Sequence, residues 1–331
     1  MSTATVSRVV HGLASVSPAT RSRVLEAIES LGYIPDSAAQ SMARRSKEVI
    51  GLVAIDPRGP DADVEQEGSL FIDEVLHGVE SVLSPLGWPV LISVRHVDDR
   101  EDPCQWLNRM SARVDGLLIS EGVEPADVVA KLASRIPVVL VAGSPDVPGA
   151  DVVGVDNRAG TSAVVSHLIE RHGRSRFWYV AGPHEAPDAR ERDAAIEETL
   201  SRYRGVRLTG RSEGPFCAPT GQRAVREILA APDQAAPDAI VCANDQMALG
   251  ALQELRAAGI RVPADISVTG FDDSYLGALV TPSLTTVRQP MRLLGERACS
   301  LLLERIAEPG RPRTIERMPA ELIVRESCGC A

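Results

Sequence analysis

Long apolar runs, aromatic side chains and lysines are all scarce in this chain of 331 residues. The longest apolar runs, Val49–Ile55 and Ile136–Ala142, are far shorter than the roughly 20 residues that span a bilayer. The N-terminus also has no charged-then-apolar signal pattern, so we expect a cytosolic protein without a membrane partner. Aromatic residues make up only 3% of the chain, which argues against a deep aromatic slot for a purine.

Motifs for catalysis and for nucleotide binding are missing as well. The two lysines, Lys47 and Lys131, follow Ser46 and Ala130 rather than glycine, which excludes a Walker A loop. No two glycines stand two residues apart, which excludes G-x-G-x-x-G, and no G-x-S-x-G elbow occurs. We therefore expect no enzyme activity, no catalytic residues and no cofactor.

The cysteines and histidines do not show the spacing of a metal site, and no C-x-x-C pair occurs. Cys328 and Cys330 form a C-x-C in the tail that could chelate a metal or oxidise, but we expect a frayed terminus. Most of the histidines are expected at the surface; they are His11, His77, His96, His167, His172 and His184. The sequence thus predicts no metal site.

Charge is distributed unevenly along the chain. The net charge is −10, so the chain as a whole would repel nucleic acid. Residues 1–47 nevertheless hold an excess of basic side chains, with Arg8, Arg21, Arg23, Arg44, Arg45 and Lys47 against Glu26, Glu29 and Asp36. A local positive patch on an acidic body is what localised DNA binding needs.

Two short helices are predicted at the N-terminus. The first runs from Ser2 to Gly12, with Ser2 as its N-cap and an apolar face of Val6, Val9 and Val10. The second begins at Ser17-Pro18, has its apolar stripe at Val24, Leu25, Ile28 and Leu31, and ends at Gly32. Two such helices are not specific for one function, and a solvated helix face is the alternative.

The stretch Leu31–Leu52 joins this basic module to the rest of the chain. Pro35 and Asp36 or Ser37 can start a short helix whose apolar face includes Met42. About eight residues form only a marginal helix alone in water, so we infer a segment that folds on contact, with phosphates as one fitting partner. A plain linker is the alternative.

Apolar strand patterns and helical patterns alternate after residue 48. The run Val49–Ile55 is continuously apolar, as expected for a parallel strand covered on both faces. Similar strands follow at Pro89–Val94, Gly116–Ile119 and Val138–Val141, and the pattern restarts after Asp151. This alternation predicts an α/β fold with parallel sheets in two lobes that face each other across a cleft.

Long segments of the chain resemble the lac/gal repressor family of bacterial transcription regulators. STATVSRVVHGLASVSPATRSRVLEAIESLGYIP is similar to the recognition helix and third helix of the family's helix-turn-helix, and YIPDSAAQSMARRSKEVIGLV to its hinge helix and first core strand. ANDQMALGAL, ADISVTGFDDS and PSLTTVRQPMRLLGE match its signature turns in the core. The resemblance implies a periplasmic-binding-protein-like core of residues 47–331 behind a DNA-binding module of residues 1–46.

The resemblance also implies which residues contact operator DNA. Thr3, Ala4 and Arg8 would face base edges in the major groove, where an arginine can pair with guanine. Phosphate contacts would come from Ser2, Thr5 and Ser7. Minor-groove contacts would come from Ala39 and Met42 of the hinge helix, with Met42 replacing the family's leucine.

The start of the chain departs from the family pattern. The family has one more helix before the recognition helix, and without it Val6, Val9 and Val10 lose their cover. Each buried valine side chain contributes roughly 1.5 kcal/mol or more, so we expect the module as written to fold poorly. Met1 falls where the family commonly has valine, and we expect an in-frame helix upstream of a GUG codon.

By the same resemblance an effector binds between the lobes. The implied effector-binding residues are Asp56, Arg192, Phe216, Asn244, Asp272 and Gln289. Carboxylates and amides can each bridge neighbouring hydroxyls, arginine donates in a fixed fork, and an aromatic face covers a sugar's C–H side. We expect a sugar or glycoside rather than a nucleobase, although Ala142 stands where sugar-binding relatives often have a polar residue.

Some alternatives remain open at the level of residues. Phe216 could be lobe core, Asp272 could cap a loop, and Asp245 is expected to be a helix cap rather than a ligand. The predicted N-lobe is about 48–150 plus 290–315, and the predicted C-lobe is about 151–289 plus 316–327. We predict a dimeric repressor controlled by its effector; a sugar-binding protein that has lost DNA binding is the alternative.

Overall fold

The structure is a computed structural model that describes residues 2–10, 16–32, 46–56, 70–96, 101–120, 125–231 and 236–330. Within helices and strands, the side chains outside this description are those of Thr3, Ala4, Ser7, Val10, Ile55, Asp56 and His96. Over the described ranges, the helices are all too short or too polar to cross a membrane. The predicted hinge contacts, Ala39 and Met42, lie outside the described residues, and so do the acidic residues 57–67, for which the sequence predicts a loop.

Two helices form the N-terminal module, as predicted: α1 (Thr3–Val10) and α2 (Pro18–Leu31). The Ser2 Oγ accepts a hydrogen bond from the Thr5 amide (3.2 Å), and Gly32 ends α2 in the left-handed conformation. Val9 is only 5% exposed and therefore keeps its cover, contrary to the sequence prediction. Leu31, in contrast, is 79% exposed, so the apolar stripe of α2 is only partly buried.

The first lobe is built on a parallel sheet of six strands in the order β11-β5-β4-β3-β1-β2. These strands are β1 (Ile50–Asp56), β2 (Val90–His96), β3 (Gly116–Ser120), β4 (Val138–Val141), β5 (Asp151–Val155) and β11 (Ile315–Met318). Leu52 and Val53 are both fully buried, in two different core clusters. Helices therefore cover both faces of this sheet, as the continuous apolar run of β1 predicted.

The helices of this lobe are α3 (Leu70–Leu83), α4 (Pro103–Ser111), α5 (Ala126–Ala133) and α11 (Met291–Ala307). A 3-10 turn at Ser84–Leu86 extends α3. Helices α3 and α11 pack backbone to backbone because both have glycine at the contact. A Cβ on Gly78 would lie 2.0 Å from the Arg292 carbonyl oxygen, and one on Gly295 would lie 2.1 Å from that of Val75.

The second lobe has a parallel sheet in the order β7-β6-β8-β9. Its strands are β6 (Arg176–Ala181), β7 (Arg207–Glu213), β8 (Ala239–Cys242) and β9 (Ser267–Thr269). Its helices are α6 (Asn157–His172), α7 (Pro187–Ser201), α8 (Ala218–Ala230), α9 (Asp245–Ala257) and α10 (Tyr275–Leu279). The antiparallel pair β10 (Thr286–Arg288) and β12 (Glu321–Ile323) lies on two of the chain segments that link the lobes; a third joins β5 to α6.

The sheet pairing differs from the sequence-based division of the lobes. Strand β5 pairs with β4, and β11 pairs with β5, so residues 151–155 and 315–318 belong to the first sheet. The predicted boundary at residue 151 therefore falls one strand too early. Alternation of strands and helices shows where strands lie but not which sheet each strand joins, and the pattern restarts at Asp151 within the first sheet.

Five helices and strands were not predicted at all: α5, α10, β7, β10 and β11. Strands β7 and β11 are the terminal strands of their sheets, and their sequences RLTGRSE and IERM contain few apolar residues. An edge strand pairs on one side only and needs less apolar surface, so it gives a weak pattern.

Asp115 hydrogen-bonds residues 46–48, which follow the predicted hinge helix, to the first lobe. Its carboxylate accepts hydrogen bonds from the amides of Lys47 (2.9 Å) and Glu48 (2.6 Å) and from the Ser46 hydroxyl (2.9 Å). The Lys47 ammonium donates to the Val114 carbonyl oxygen at 2.8 Å. Lys47 was predicted to be part of the basic patch for DNA, and its charge is instead held against the core.

Candidate functional site

Polar side chains gather where the strands of the second lobe end. Asn244 lies just after β8, Asp272 just after β9 and Gln289 just after β10. Asn157 follows β5 of the first sheet, and Arg192 projects from the second turn of α7. Ligands of open α/β sheets bind at the carboxyl ends of the strands, so this cluster is the candidate site.

Arg192 is the centre of the cluster and is only 4% exposed. Its guanidinium donates through Nε to the Asn157 side-chain oxygen (2.9 Å) and through Nη1 to the Ala243 carbonyl oxygen (2.6 Å). Its Nη2 lies 3.5 Å from the carboxylate of Asp188, one turn earlier on the same helix. The guanidinium carbon also lies 3.8 Å from the centre of the Phe271 ring, a cation–π distance. These contacts fix the orientation of the fork.

Asp272 and Gln289 form a buried pair in the same cluster. The Gln289 Nε2 donates to Asp272 Oδ1 at 2.6 Å, and the Gln289 Oε1 is buried without a hydrogen-bond partner among the described residues. Asp272 has a φ of 122°, a strained conformation for a residue with a side chain. A buried acceptor with no partner together with a strained backbone is typical of a position that a ligand completes.

Asn244 and Asp245 divide their roles differently from the prediction. Asn244 is the N-cap of α9, since its Oδ1 accepts from the Met247 amide at 2.9 Å. Asp245 was expected to be the cap, but its carboxylate joins two other segments instead. It accepts from the Ser274 amide (2.7 Å) and from the Thr286 hydroxyl (2.5 Å). The cap contact uses only the side-chain oxygen of Asn244. The side-chain nitrogen, Nδ2, donates to the Phe216 carbonyl oxygen at 3.4 Å.

Two phenylalanines lie at the site, and the sequence predicted one of them. Phe216 is half-buried and packs on the main core cluster, where a Cβ on Gly182 would lie 2.3 Å from its ring. Phe271, which was not predicted, holds the Arg192 guanidinium. It directly precedes Asp272 in the quoted segment ADISVTGFDDS, so the motif contained the signal.

The buried carboxylates of the site resist ionisation. Burial raises the pKa of Asp272 to about 7, although Arg192 and the Gln289 hydrogen bond act against the shift. Burial also raises the pKa of Asp188 to about 6, opposed first by Arg192 and reinforced by Glu191. Burial and the nearby Asp272 charge together raise the pKa of Asp245 to about 8. Such carboxyls can donate as well as accept near neutral pH, which suits a ligand with several hydroxyls.

A second network at the site was not predicted. Asn157 donates to Asp188 Oδ1 (2.9 Å) and to Glu191 Oε2 (3.1 Å), and Glu191 forms a two-bond ion pair with Arg317 of β11. Arg317 belongs to the first sheet, whereas Glu191 lies on α7 of the second lobe, so this pair bridges the lobes. Asp188 stands one helical turn before Arg192, and that spacing was its signal in the sequence.

The structure brings five of the six predicted effector residues into one connected set. Arg192, Phe216, Asn244, Asp272 and Gln289 are linked through the contacts above, while the side chain of Asp56 at the end of β1 lies outside the described residues. Ala142, at the end of β4, has a φ of 58°. Of the predicted DNA contacts, Ser2 and Arg8 are exposed and Thr5 is half-buried on α1.

Comparison with known proteins places these features in context. Residues 1–36 match a family model described as bacterial regulatory proteins, lacI family, and residues 165–328 match a periplasmic binding protein-like domain. The HTH-type transcriptional repressor PurR of Aliivibrio fischeri is 33% identical over 334 aligned residues, which cover 99% of this chain and 95% of that protein.

Solved structures resemble the chain over nearly its whole length. The lac repressor dimer bound to operator and the anti-inducer ONPF has a TM-score of 0.82 at 28% identity, covering 98% of this chain and 94% of that one. The complex of the transcriptional regulator CelR with cellobiose has a TM-score of 0.73 at 31% identity, covering 97% and 94%. The two-lobed α/β fold predicted from the sequence is confirmed.

Proposed function

The chain belongs to the lacI family of bacterial regulatory proteins, and from that premise we propose that it is a repressor controlled by a small effector. The effector is a sugar or a glycoside bound between the two lobes, and it governs binding to operator DNA. The protein acts in the cytoplasm as a homodimer and catalyses no reaction on the effector. The observation that carries the proposal is the buried Asp272–Gln289–Arg192 cluster at the carboxyl ends of the strands.

The chemistry of the cluster supports a polyhydroxylated ligand. Asp272 accepts from neighbouring hydroxyls or donates to them according to its protonation, and Gln289 Oε1 is an acceptor ready for one hydroxyl. The Arg192 guanidinium contacts three groups of the protein. Its main role is therefore to orient Asn157 and Asp188 rather than to donate to the ligand. Hydroxyls of a sugar match this mixture of acceptors and donors.

The aromatic content favours a sugar over a nucleobase. Phe271 is occupied by the Arg192 guanidinium, which leaves Phe216 as the aromatic face available for the C–H side of a sugar ring. A flat purine base would need stacking surfaces on both of its faces. The relative CelR holds cellobiose, a sugar, which is consistent with this choice.

Calorimetry tests the ligand class. The protein is titrated with a panel of monosaccharides and disaccharides and, separately, with purine bases and nucleosides. At least one sugar should release binding heat that disappears in Gln289→Ala, while Gln253→Ala, a change on the surface of α9, retains it. Binding of purines without any binding of sugars would overturn the proposal.

Exposed apolar side chains on the surface support the formation of a dimer. Strand β2 is one edge of the six-stranded sheet and exposes Ile92 (44%) and Val94 (51%), while α10 exposes Leu279 (74%). Apolar groups at a sheet edge need cover, and a second copy of the chain supplies it. Sedimentation should give a dimer that Val94→Glu dissociates, and a monomeric wild-type protein would contradict this arrangement.

The operator is sought in the promoter of the protein's own gene and in its neighbours. A gel shift with this DNA should show a specific complex that Arg8→Ala weakens, because arginine in a recognition helix contacts guanine. The exposed position of Arg8 on α1 suits that role. Sugar binding without any preference for a DNA sequence would instead favour a solute-binding protein.

A further inference from the structure

The C-terminal turn is held firmly on the second lobe, which corrects the predicted frayed terminus. Residues Glu326–Cys328 form a 3-10 turn in which Ser327 and Cys328 are fully buried. The Ser327 hydroxyl donates to the Val268 carbonyl oxygen at 2.6 Å, and the Ser267 hydroxyl donates to that of Cys328 at 2.9 Å. These bonds to β9 give Cys328 and Cys330 defined positions.

The end of α6 brings two histidines to the same place. The imidazole rings of His167 and His172 meet edge to face, with centroids 5.0 Å apart. One ring nitrogen of each histidine and the sulfur atoms of Cys328 and Cys330 all lie within 4.8 Å of one another. Gly329 permits this approach because its φ is 113° and a Cβ there would lie 3.0 Å from His172 Nδ1.

Four of the six distances among these atoms match the edges of a tetrahedron around one cation, and the other two lie within 4.8 Å. Zinc bonds of about 2.0–2.1 Å to nitrogen and about 2.3 Å to sulfur give edges of about 3.3 Å between two nitrogens and about 3.6 Å between nitrogen and sulfur. The two Nε2 atoms are 3.2 Å apart. The Cys328 and Cys330 sulfurs lie 3.5 and 3.6 Å from His167 Nε2, and Cys330 lies 3.4 Å from His172 Nε2.

Hydrogen bonding alone does not account for this cluster. The Nε2 atom of His167 lies within 3.6 Å of three polar atoms, those of His172, Cys328 and Cys330. A neutral imidazole nitrogen offers either one proton or one lone pair in that direction, so it cannot satisfy all three. A central cation accepts a lone pair from each of the four atoms at once.

We propose that His167, His172, Cys328 and Cys330 form a structural zinc site that fastens the end of the chain to the last turn of α6. Two imidazoles and two thiolates in a tetrahedron favour zinc among the common divalent ions. All four positions are filled by protein, which is the arrangement of a structural site rather than a catalytic one. Each zinc ion bound replaces the two thiol protons, including the one that Cys328 donates to the Arg325 carbonyl oxygen.

The consequence reaches the candidate site through α6. That helix begins at Asn157, which contacts Arg192, and ends at the proposed zinc ligands. One rigid helix would therefore be fixed at both ends, at its first residue by the Arg192 network and at its last turn by zinc. The sequence spacing did not indicate this site, because two histidines five residues apart combine with a C-x-C more than 150 residues later in the chain.

The test is zinc content in the untagged, intact protein. The protein is purified with a phosphine reductant, incubated with zinc sulfate, dialysed and analysed by mass spectrometry of the metal. One zinc per chain is expected in the wild type, with loss to background in Cys330→Ser and in His172→Gln. The matched controls Cys104→Ser and His77→Gln, which change residues far from the cluster in sequence, should retain the zinc.

Cobalt provides a second readout that does not depend on stability. Co²⁺ bound to two thiolates in a tetrahedron gives strong visible d–d bands and a sulfur charge-transfer band, and both should be absent in Cys330→Ser. Chelation should lower the melting temperature of the wild type but leave that of Cys330→Ser unchanged. Wild-type protein without zinc and without the cobalt spectrum, or a Cys328–Cys330 disulfide that persists under reductant, would overturn the proposal.

Discussion

Replacement of Asp245 by asparagine should reduce the pH dependence of stability. Asp245 is fully buried, and burial together with the charge of Asp272 raises its pKa from 3.8 to about 8. Between about pH 4 and pH 8 the folded protein therefore holds a proton that the unfolded chain has released. The stability that this proton contributes is complete below pH 4 and is lost as the pH rises toward 8.

The size of the effect follows from the shift. One bound proton changes the free energy of unfolding by up to about 1.4 kcal/mol per pH unit, so wild type loses up to about 2.7 kcal/mol between pH 5 and pH 7 from this group. Asparagine does not titrate, and its amide can donate to the Thr286 hydroxyl while its oxygen accepts from the Ser274 amide. Asp188 and Asp272 titrate in both proteins and largely cancel in the comparison.

Urea unfolding at pH 5, 6 and 7, followed by circular dichroism, measures this difference. The curve of Asp245→Asn should be flatter than that of wild type, with the two proteins closest in stability at pH 5 and wild type falling below the variant as the pH rises. Asp265→Asn is the matched control, since Arg261 lowers the pKa of the exposed Asp265 to about 2 and no titration falls in this range. Parallel curves for wild type and Asp245→Asn would refute the reasoning.

Three further predictions concern packing, the site and the hinge. Gly78→Ala should destabilise the first lobe by about 1–3 kcal/mol in thermal unfolding, and the better helix propensity of alanine should offset this loss by about 1 kcal/mol. The control Gly154→Ala should be neutral, because nothing lies within 4 Å of a Cβ at that position. Arg192→Lys should weaken effector binding about tenfold or more in calorimetry, because one ammonium cannot replace the fork, whereas the exposed Arg158→Lys should not. Asp115→Ala should release residues 46–48 and weaken operator binding about tenfold in gel shifts while effector affinity stays unchanged, and the surface change Asp127→Ala is its control.

Much of the fold could be predicted because its central strands are fully buried. The buried segments 50–54 and Val138–Val141 have to be apolar on both faces, so their patterns are strong. The edge strands β7 and β11 are half-exposed and polar, and the assignment of Asp151–Val155 to the first sheet depends on pairing that no local pattern encodes.

The site could be predicted only where a motif contained it. Arg192, Asp272 and Gln289 were predicted through the resemblance, and the contacts that join them in the structure were not. Phe271 beneath Arg192 and the Glu191–Arg317 pair between the lobes arise from tertiary packing. The same reason explains why the sequence did not predict the cluster of His167, His172, Cys328 and Cys330. Its histidine pair and its cysteine pair come together only in the folded lobe.

The central claim is that occupancy of the site between the lobes changes affinity for operator DNA. Fluorescence anisotropy with a labelled promoter fragment, in the absence and presence of the sugar identified by calorimetry, tests it most directly. The sugar should change the operator dissociation constant by roughly 5–150-fold, and operator should change the sugar's dissociation constant by the same factor. Equal operator affinity with and without a sugar that binds at Gln289 would contradict the account.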